Sequence, residues 1–154
     1  MQINEFLDFD AIRLDLSAGN KRQLLNQVAQ IAAARLAIDP SEIADAIAER
    51  ERLGSTGFGG GVAIPHGKLA QLDKVYALVA RLAQPLDYKA IDGAPIDLVF
   101  LLLSPPDAGA EHLKALAAVS RLVRSAPTIE KLRGARSRDA MAAVLMHAEE
   151  RDAA

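Results

Sequence analysis

Residues 12–16, Ile12-Arg13-Leu14-Asp15-Leu16, alternate apolar and polar, which predicts a short strand with one buried face. The period then changes. Leu24, Leu25, Val28, Ile31, Ala32 and Leu36 recur at helical spacing and form one apolar stripe. Asn20 stands ahead of it as an N-cap, with Gln23 in the capping-box position. A second helix start follows, with Asp39 as N-cap, Pro40 at the first helical position and Glu42 as box partner. Ile43, Ala46 and Ile47 mark that helix's buried face. Residues 75–82 are almost continuously apolar and predict a buried strand. Residues 91–95 carry turn chemistry in Asp92-Gly93 and Pro95. Residues 96–103 are the most apolar run of the chain and predict the central strand. It stops at Ser104-Pro105-Pro106-Asp107, which cannot continue a ladder. A helix follows over about residues 108–124, with Leu116, Val119 and Val123 facing inward. Two short helices close the chain. Pro127 opens one that ends near Gly134; Ser137 caps the other, which buries Met141, Val144, Leu145 and Ala148. Strands and helices interleave without an internal repeat. The expected fold is α/β, one domain over residues 1–154 with a central mixed sheet and helices on both faces.

Composition narrows the function classes. Hydrophobic residues make up 51% of the 154 positions but aromatics only 4%, so the core is built from Ala, Leu, Ile and Val. A net charge of −2 and a pI near 5.9 leave no electrostatic footprint for nucleic acid or an anionic membrane. With no cysteine, disulfides, thiolate catalysis and zinc–thiolate sites are excluded. The first residues lack the basic and apolar regions of a signal peptide, and no apolar run is long enough for a bilayer. A cytoplasmic protein without membrane insertion is expected.

The chemistry concentrates in residues 49–69. A charged helix end feeds a glycine-rich loop with Gly54, Gly57, Gly59, Gly60 and Gly61. The loop leads through Val62-Ala63-Ile64-Pro65 to His66 and Gly67. Glycines let backbone N–H groups turn towards a bound anion, and His66 is expected where a strand ends. At about 100° per residue, Arg50 returns to the face of Ile43 and Ile47, whereas Arg52 points to the opposite side. An inward arginine needs an anionic partner. The spacing leaves open whether that is a structural carboxylate or a bound anion. His112 shares a face with Leu116 in the first turns of its helix, where a neutral imidazole and a bound anion are favoured. His147, among surface residues of the last helix, is read as structural or solvated.

Two histidines and an arginine could serve three chemistries. Metal binding would recruit a third ligand, and neither HxH nor HExxH is present. A serine hydrolase could draw on Ser55 or Ser104, but the chain has no Gly-x-Ser-x-Gly elbow. Nucleotide loops end in Gly-Lys-Ser/Thr or enter a helix, and this loop does neither. Phosphoryl transfer onto a neutral histidine fits best. It needs a cation and N–H donors around the phosphoryl oxygens, and Arg50 with Gly57, Gly59, Gly60 and Gly61 could supply them.

Arg50-Glu51-Arg52-Leu53, Gly54-Ser55-Thr56-Gly57, Ile64-Pro65-His66-Gly67-Lys68 and His112-Leu113 resemble the IIA components of the bacterial phosphotransferase system, in the mannitol/fructose/nitrogen branch. The free-standing length is most similar to its nitrogen-regulatory members. The resemblance implies that His66 is the phosphorylated residue, that His112 contacts the phosphoryl group, and that Arg50 is the active-site arginine. It implies an HPr-like phosphocarrier protein as donor, regulatory target proteins as readers of the phosphorylation state, and no cofactor or metal. The alternatives are a sugar-specific IIA protein passing phosphate to a IIB component, and a binding module of the same fold that is not phosphorylated. The sequence departs from the family pattern at Gly60, where relatives usually carry a polar side chain.

Overall fold

The computed structural model describes the backbone of residues 1–153 and the side chains of residues 1–148. After two 3-10 turns, Ile3–Glu5 and Phe9–Ala11, the elements run β1 (Arg13–Leu16), α1 (Lys21–Leu36), α2 (Pro40–Arg52), β2 (Gly57–Gly59), β3 (Val62–Ala63), β4 (His66–Lys68), β5 (Tyr76–Leu86), β6 (Ile96–Ser104), α3 (Gly109–Arg124), α4 (Ala126–Gly134) and α5 (Arg138–Ala153). The strands form a mixed sheet in the order β1-β5-β6-β3-β2, with β4 also paired to β6. Strand β6 is central and apolar because both of its faces are covered. Leu98, Phe100 and Leu102 pack under α3, α4 and α5. Ile96, Val99, Leu101 and Leu103 pack under α1 and α2.

The predicted helix starts hold, with a different partner at two of them. Asn20 accepts from the Gln23 N–H at 2.9 Å, but the Gln23 side chain accepts from Gly19 rather than from the cap residue. Asp39 accepts from the Ser41 N–H, while Glu42 reaches across to Gln71 instead of closing a box. The buried stripe of α1 is Leu24, Val28, Ala29, Ala32 and Ala33. Its centre lies towards the alanines because they allow α1 to sit close against its neighbours, leaving Leu25, Ile31 and Leu36 at the margins. Strand β5 runs four residues past the predicted end, and its pairing with β6 shifts register between Arg81 and Leu86. Pro85 lacks an N–H for the ladder and lies within that irregular stretch.

The stretch from residue 57 to 68 matters most for function. Strands β3 and β4 lie successively along one side of β6, β3 opposite Leu98 and Val99, β4 opposite Leu102, Leu103 and Ser104. Ile64-Pro65 interrupts them because proline cannot donate to the ladder. His66 therefore opens a strand, in contrast to the strand-end position expected from the sequence.

Candidate functional site

His66 is placed by its own backbone and by α2. The Gly67 position is where β4 comes closest to α2: a Cβ there would lie 3.1 Å from Ala46 backbone and side-chain atoms. The small pair Ala46/Gly67 thus lets helix and strand approach, and Arg50, one helical turn beyond Ala46, lands beside His66. Its Nε–H donates to His66 Nε2 at 3.1 Å, and its Nη1 donates to the Gly54 carbonyl at 2.9 Å. On the other ring edge, His66 Nδ1 lies 2.8 Å from the Ile64 carbonyl oxygen. A carbonyl only accepts, so the proton is on Nδ1 and the Nε2 lone pair faces Arg50. Burial lowers the His66 pKa, and the Arg50 cation lowers it further against the opposing effect of the Ile64 carbonyl. The ring is held neutral.

His112 arrives from α3 on the opposite wall, its ring centroid 5.6 Å from that of His66. Its Nδ1 is 2.6 Å from Oγ of Ser104, the last residue of β6. Burial lowers its pKa, aided by His66 and by the charge of Lys68. Together Ala46, Glu49, Arg50, Leu53, His66, Gly67, Lys68 and His112 line an open pocket of about 420 Å³. One of the lining side chains is apolar and open to solvent, Leu53 at 83% exposure, and Leu113, the residue after His112, is 66% exposed.

Arg50 has no carboxylate partner among the described residues. The nearby Glu51 is committed elsewhere, to the Lys21 ammonium at 2.7 Å, to the Thr56 N–H and to the Tyr88 hydroxyl. Burial pushes the Glu51 carboxyl up, and Lys21 and Thr56 outweigh it and hold its pKa low. Arg52 points away from the histidines into a groove between α1 and α2, as the helical phase requires.

The structure thus brings Arg50, His66 and His112 together, but not the glycine loop. Gly57, Gly59, Gly60 and Gly61 are absent from the pocket walls. They form the β2–β3 hairpin, with φ values of +118°, +64° and +84° at residues 59, 60 and 61. The Gly60 N–H, expected to face an anion, donates to Asp92 at 3.1 Å, and the Gly60 carbonyl accepts from Arg133, which also pairs with Asp97. Loop and turn are pinned to each other, so the glycines serve hairpin geometry. With no side chain at residue 60, the His66 ring takes its Nδ1 partner from the backbone, at the Ile64 carbonyl. Sequence reading missed that carbonyl, the Ala46/Gly67 contact and Ser104 as a partner of His112. Only the small-residue pair left a trace, in the Gly67 beside the histidine. His147 is exposed on α5 and does not line the pocket. Among the described residues no three His, Asp or Glu side chains gather as metal ligands would, and no helix is long and apolar enough to cross a membrane.

Comparison with known proteins identifies the family. The profile of the family "Phosphoenolpyruvate-dependent sugar phosphotransferase system, EIIA 2" matches residues 5–148. A nitrogen regulatory protein of Bradyrhizobium diazoefficiens is 44% identical over 145 residues, covering 94% of this chain and 95% of that protein. The nitrogen regulatory protein of Pseudomonas aeruginosa is 38% identical over 129 residues, covering 83% and 84%. Among solved structures, the nitrogen regulatory protein IIA-Ntr of Neisseria meningitidis superposes with a TM-score of 0.87 at 32% identity, over 93% of this chain and 98% of that one. The mannitol IIA protein of Escherichia coli shares the fold, with a TM-score of 0.76 at 18% identity over 90% and 97%. The chain is similar to nitrogen regulatory proteins, and it belongs to the EIIA 2 family of the phosphotransferase system.

Proposed function

We propose that this protein is a phosphocarrier that accepts a phosphoryl group on His66 Nε2 from the phosphohistidine of an HPr-like carrier protein. The observation that carries the reading is the tautomer of His66: Nδ1–H is tied to the Ile64 carbonyl, and a bare Nε2 lies 3.1 Å from an arginine without a carboxylate partner. Transfer forms one N–P bond at Nε2 as the N–P bond of the donor breaks, the electron pair returning to the donor imidazole. His66 keeps its Nδ1 proton throughout, and the Ile64 carbonyl faces the positive ring that results. Arg50 occupies the lone pair in the resting protein. Phosphorus takes that place and the guanidinium moves onto the phosphoryl oxygens, with the Gly54 carbonyl as its tether. His112 is the second group within reach of those oxygens.

The output is regulatory on this reading. A phosphoryl group adds about −1.5 to −2 of charge beside the exposed Leu53 and Leu113, which changes what the rim can bind. The relatives named nitrogen regulatory protein support this over sugar transport. One observation favours the second reading, delivery to a IIB component: a structural neighbour is the mannitol IIA protein of E. coli in complex with phosphorylated IIB.

Incubation with phosphoenolpyruvate and the general carrier proteins, followed by intact-mass analysis, tests the proposal. One acid-labile, base-stable phosphoryl group is expected, absent from His66→Ala. A protein that stays unmodified under conditions that label a known IIA protein would leave only the binding-module reading.

A further inference from the structure

We infer that Ser104 is a positioning residue for the second histidine: its buried hydroxyl donates to His112 Nδ1 and thereby keeps the ring proton on Nε2, on the pocket side. Three observations carry this. Ser104 is fully buried at the end of the central strand, and the only partner of its hydroxyl among the described residues is His112 Nδ1. A serine hydroxyl has one hydrogen to give and two lone pairs to fill. Were it to accept from Nδ1–H, its own hydrogen would be left unpaired in the core, whereas an unused lone pair costs far less. The separation of 2.6 Å is also a hydrogen-bonding contact of hydroxyl and ring nitrogen, so a hydrogen lies between them and the hydroxyl hydrogen is the one that can fill that place without leaving an orphan donor. Finally, Ser104 is fixed independently of the histidine. Its carbonyl accepts the Leu69 N–H at 2.9 Å and its residue pairs with Lys68 across β4 and β6. The hydroxyl therefore stays in register with the strand that carries His66.

The consequence is a complementary pair. His66 offers a lone pair from Nε2 and His112 offers an N–H from Nε2, so a group between them meets a nucleophile on one side and a donor on the other. Hydrogen bonding of His112 to a phosphoryl oxygen requires that N–H. In the other tautomer His112 Nε2 would present a lone pair instead, which repels an anion. This role rests on the phosphocarrier reading for its purpose, but the tautomer itself does not.

The test is carried out on the full chain, unphosphorylated and 15N-labelled, at neutral pH. Long-range 1H–15N correlation reads which nitrogen of each ring is protonated. The expected spectrum shows Nε2–H for His112 and Nδ1–H for His66. Ser104→Ala should move His112 towards Nδ1–H or a mixture without changing His66, and Ser104→Thr, which keeps the hydroxyl, should restore it. In phosphorylation assays Ser104→Ala should slow transfer roughly three- to tenfold, with recovery in Ser104→Thr. Nδ1–H on His112 in the unaltered protein overturns the inference, whether or not any variant folds. So does a folded Ser104→Ala with an unchanged His112 tautomer. If the tautomers behave as stated but no variant, nor the parent protein, is ever labelled, it is the phosphocarrier reading that fails.

Discussion

His66 and His112 face each other with ring centroids 5.6 Å apart, yet the chain anchors them by different means. His66 sits in a strand and is tied at Nδ1 to a carbonyl two residues away in its own chain. His112 sits in the first turns of a helix and is tied at Nδ1 to a side-chain hydroxyl on the neighbouring strand. A carbonyl can only accept, so the local backbone alone dictates the His66 tautomer. A hydroxyl can give or take, so the state of His112 depends on how well the hydroxyl is buried. The cation is also unequally shared: Arg50 contacts His66 directly, while His112 feels mainly burial and the charge of its neighbours. Two residues of the same type, in one pocket, are thus prepared for different work.

The largest expected effect separates the two rings outright. His66→Ala should abolish phosphorylation, whereas His112→Ala should still be labelled at His66 but transfer onward several-fold more slowly. Labelling that survives in the first and vanishes in the second would reverse the assignment of nucleophile and helper. Next in size is the arginine. Arg50→Gln should slow transfer by at least about tenfold, since a guanidinium on phosphoryl oxygens can contribute 10³-fold or more where it meets the transition state. Arg52→Gln, on the opposite side of α2, should be nearly silent. Thermal melting of both variants sharpens the result. An Arg50→Gln protein that chiefly loses stability would make Arg50 a structural element, and the asymmetry between the histidines would lose its electrostatic half.

A subtler intervention acts on spacing. Gly67→Ala places a methyl about 3.1 Å from Ala46, so β4 must move away from α2. The expected cost is about 1–3 kcal/mol of stability, as for other overpacked sites, read as a lower denaturation midpoint. His66 should separate from Arg50 while the His112–Ser104 contact is kept. Equal loss of both contacts would mean that the pocket moves as one body.

How far the sequence reveals this depends on the kind of signal. The two-sided sheet and its central strand are legible because residues 98–103 are apolar without interruption, and only a strand covered on both faces needs that. Arg50 is legible because a helix has one phase, and Ile43 and Ile47 define it. The glycine loop misleads for a physical reason: positive φ serves a hairpin as well as it serves an anion, and only the positions of Asp92 and Arg133 distinguish the two uses. Likewise Pro65 is visible, but whether the chain leaves the sheet or re-enters it is decided by pairing with β6, which no local pattern encodes. The Ser104–His112 bond spans a strand end and a helix start. Its two residues look unrelated until the Pro105-Pro106 turn brings them together.

The smallest effect is on proton binding, and it tests the electrostatic side of the comparison. Burial lowers both pKa values from the ordinary 6.5; the Arg50 cation adds to this at His66, and His66 and Lys68 add to it at His112. Both NMR titration midpoints should therefore fall below the ordinary value. Removing the cation in Arg50→Gln should raise the midpoint of His66 and leave that of His112 nearly unchanged. Stability follows the same sign. Between the folded midpoints and 6.5 the unfolded chain binds more protons than the folded one, so stability rises with pH across that window. The contribution is fully present above about 6.5 and is lost as pH falls towards the folded values. Partial exposure of both rings keeps it small. The denaturation midpoint should be lower on the acid side of the window than on the alkaline side, and the difference should shrink in Arg50→Gln as the His66 midpoint returns towards that of a free imidazole. A His66 midpoint that does not respond to Arg50→Gln would show that burial alone tunes the ring, and the arginine would then matter only once a phosphoryl group is in place.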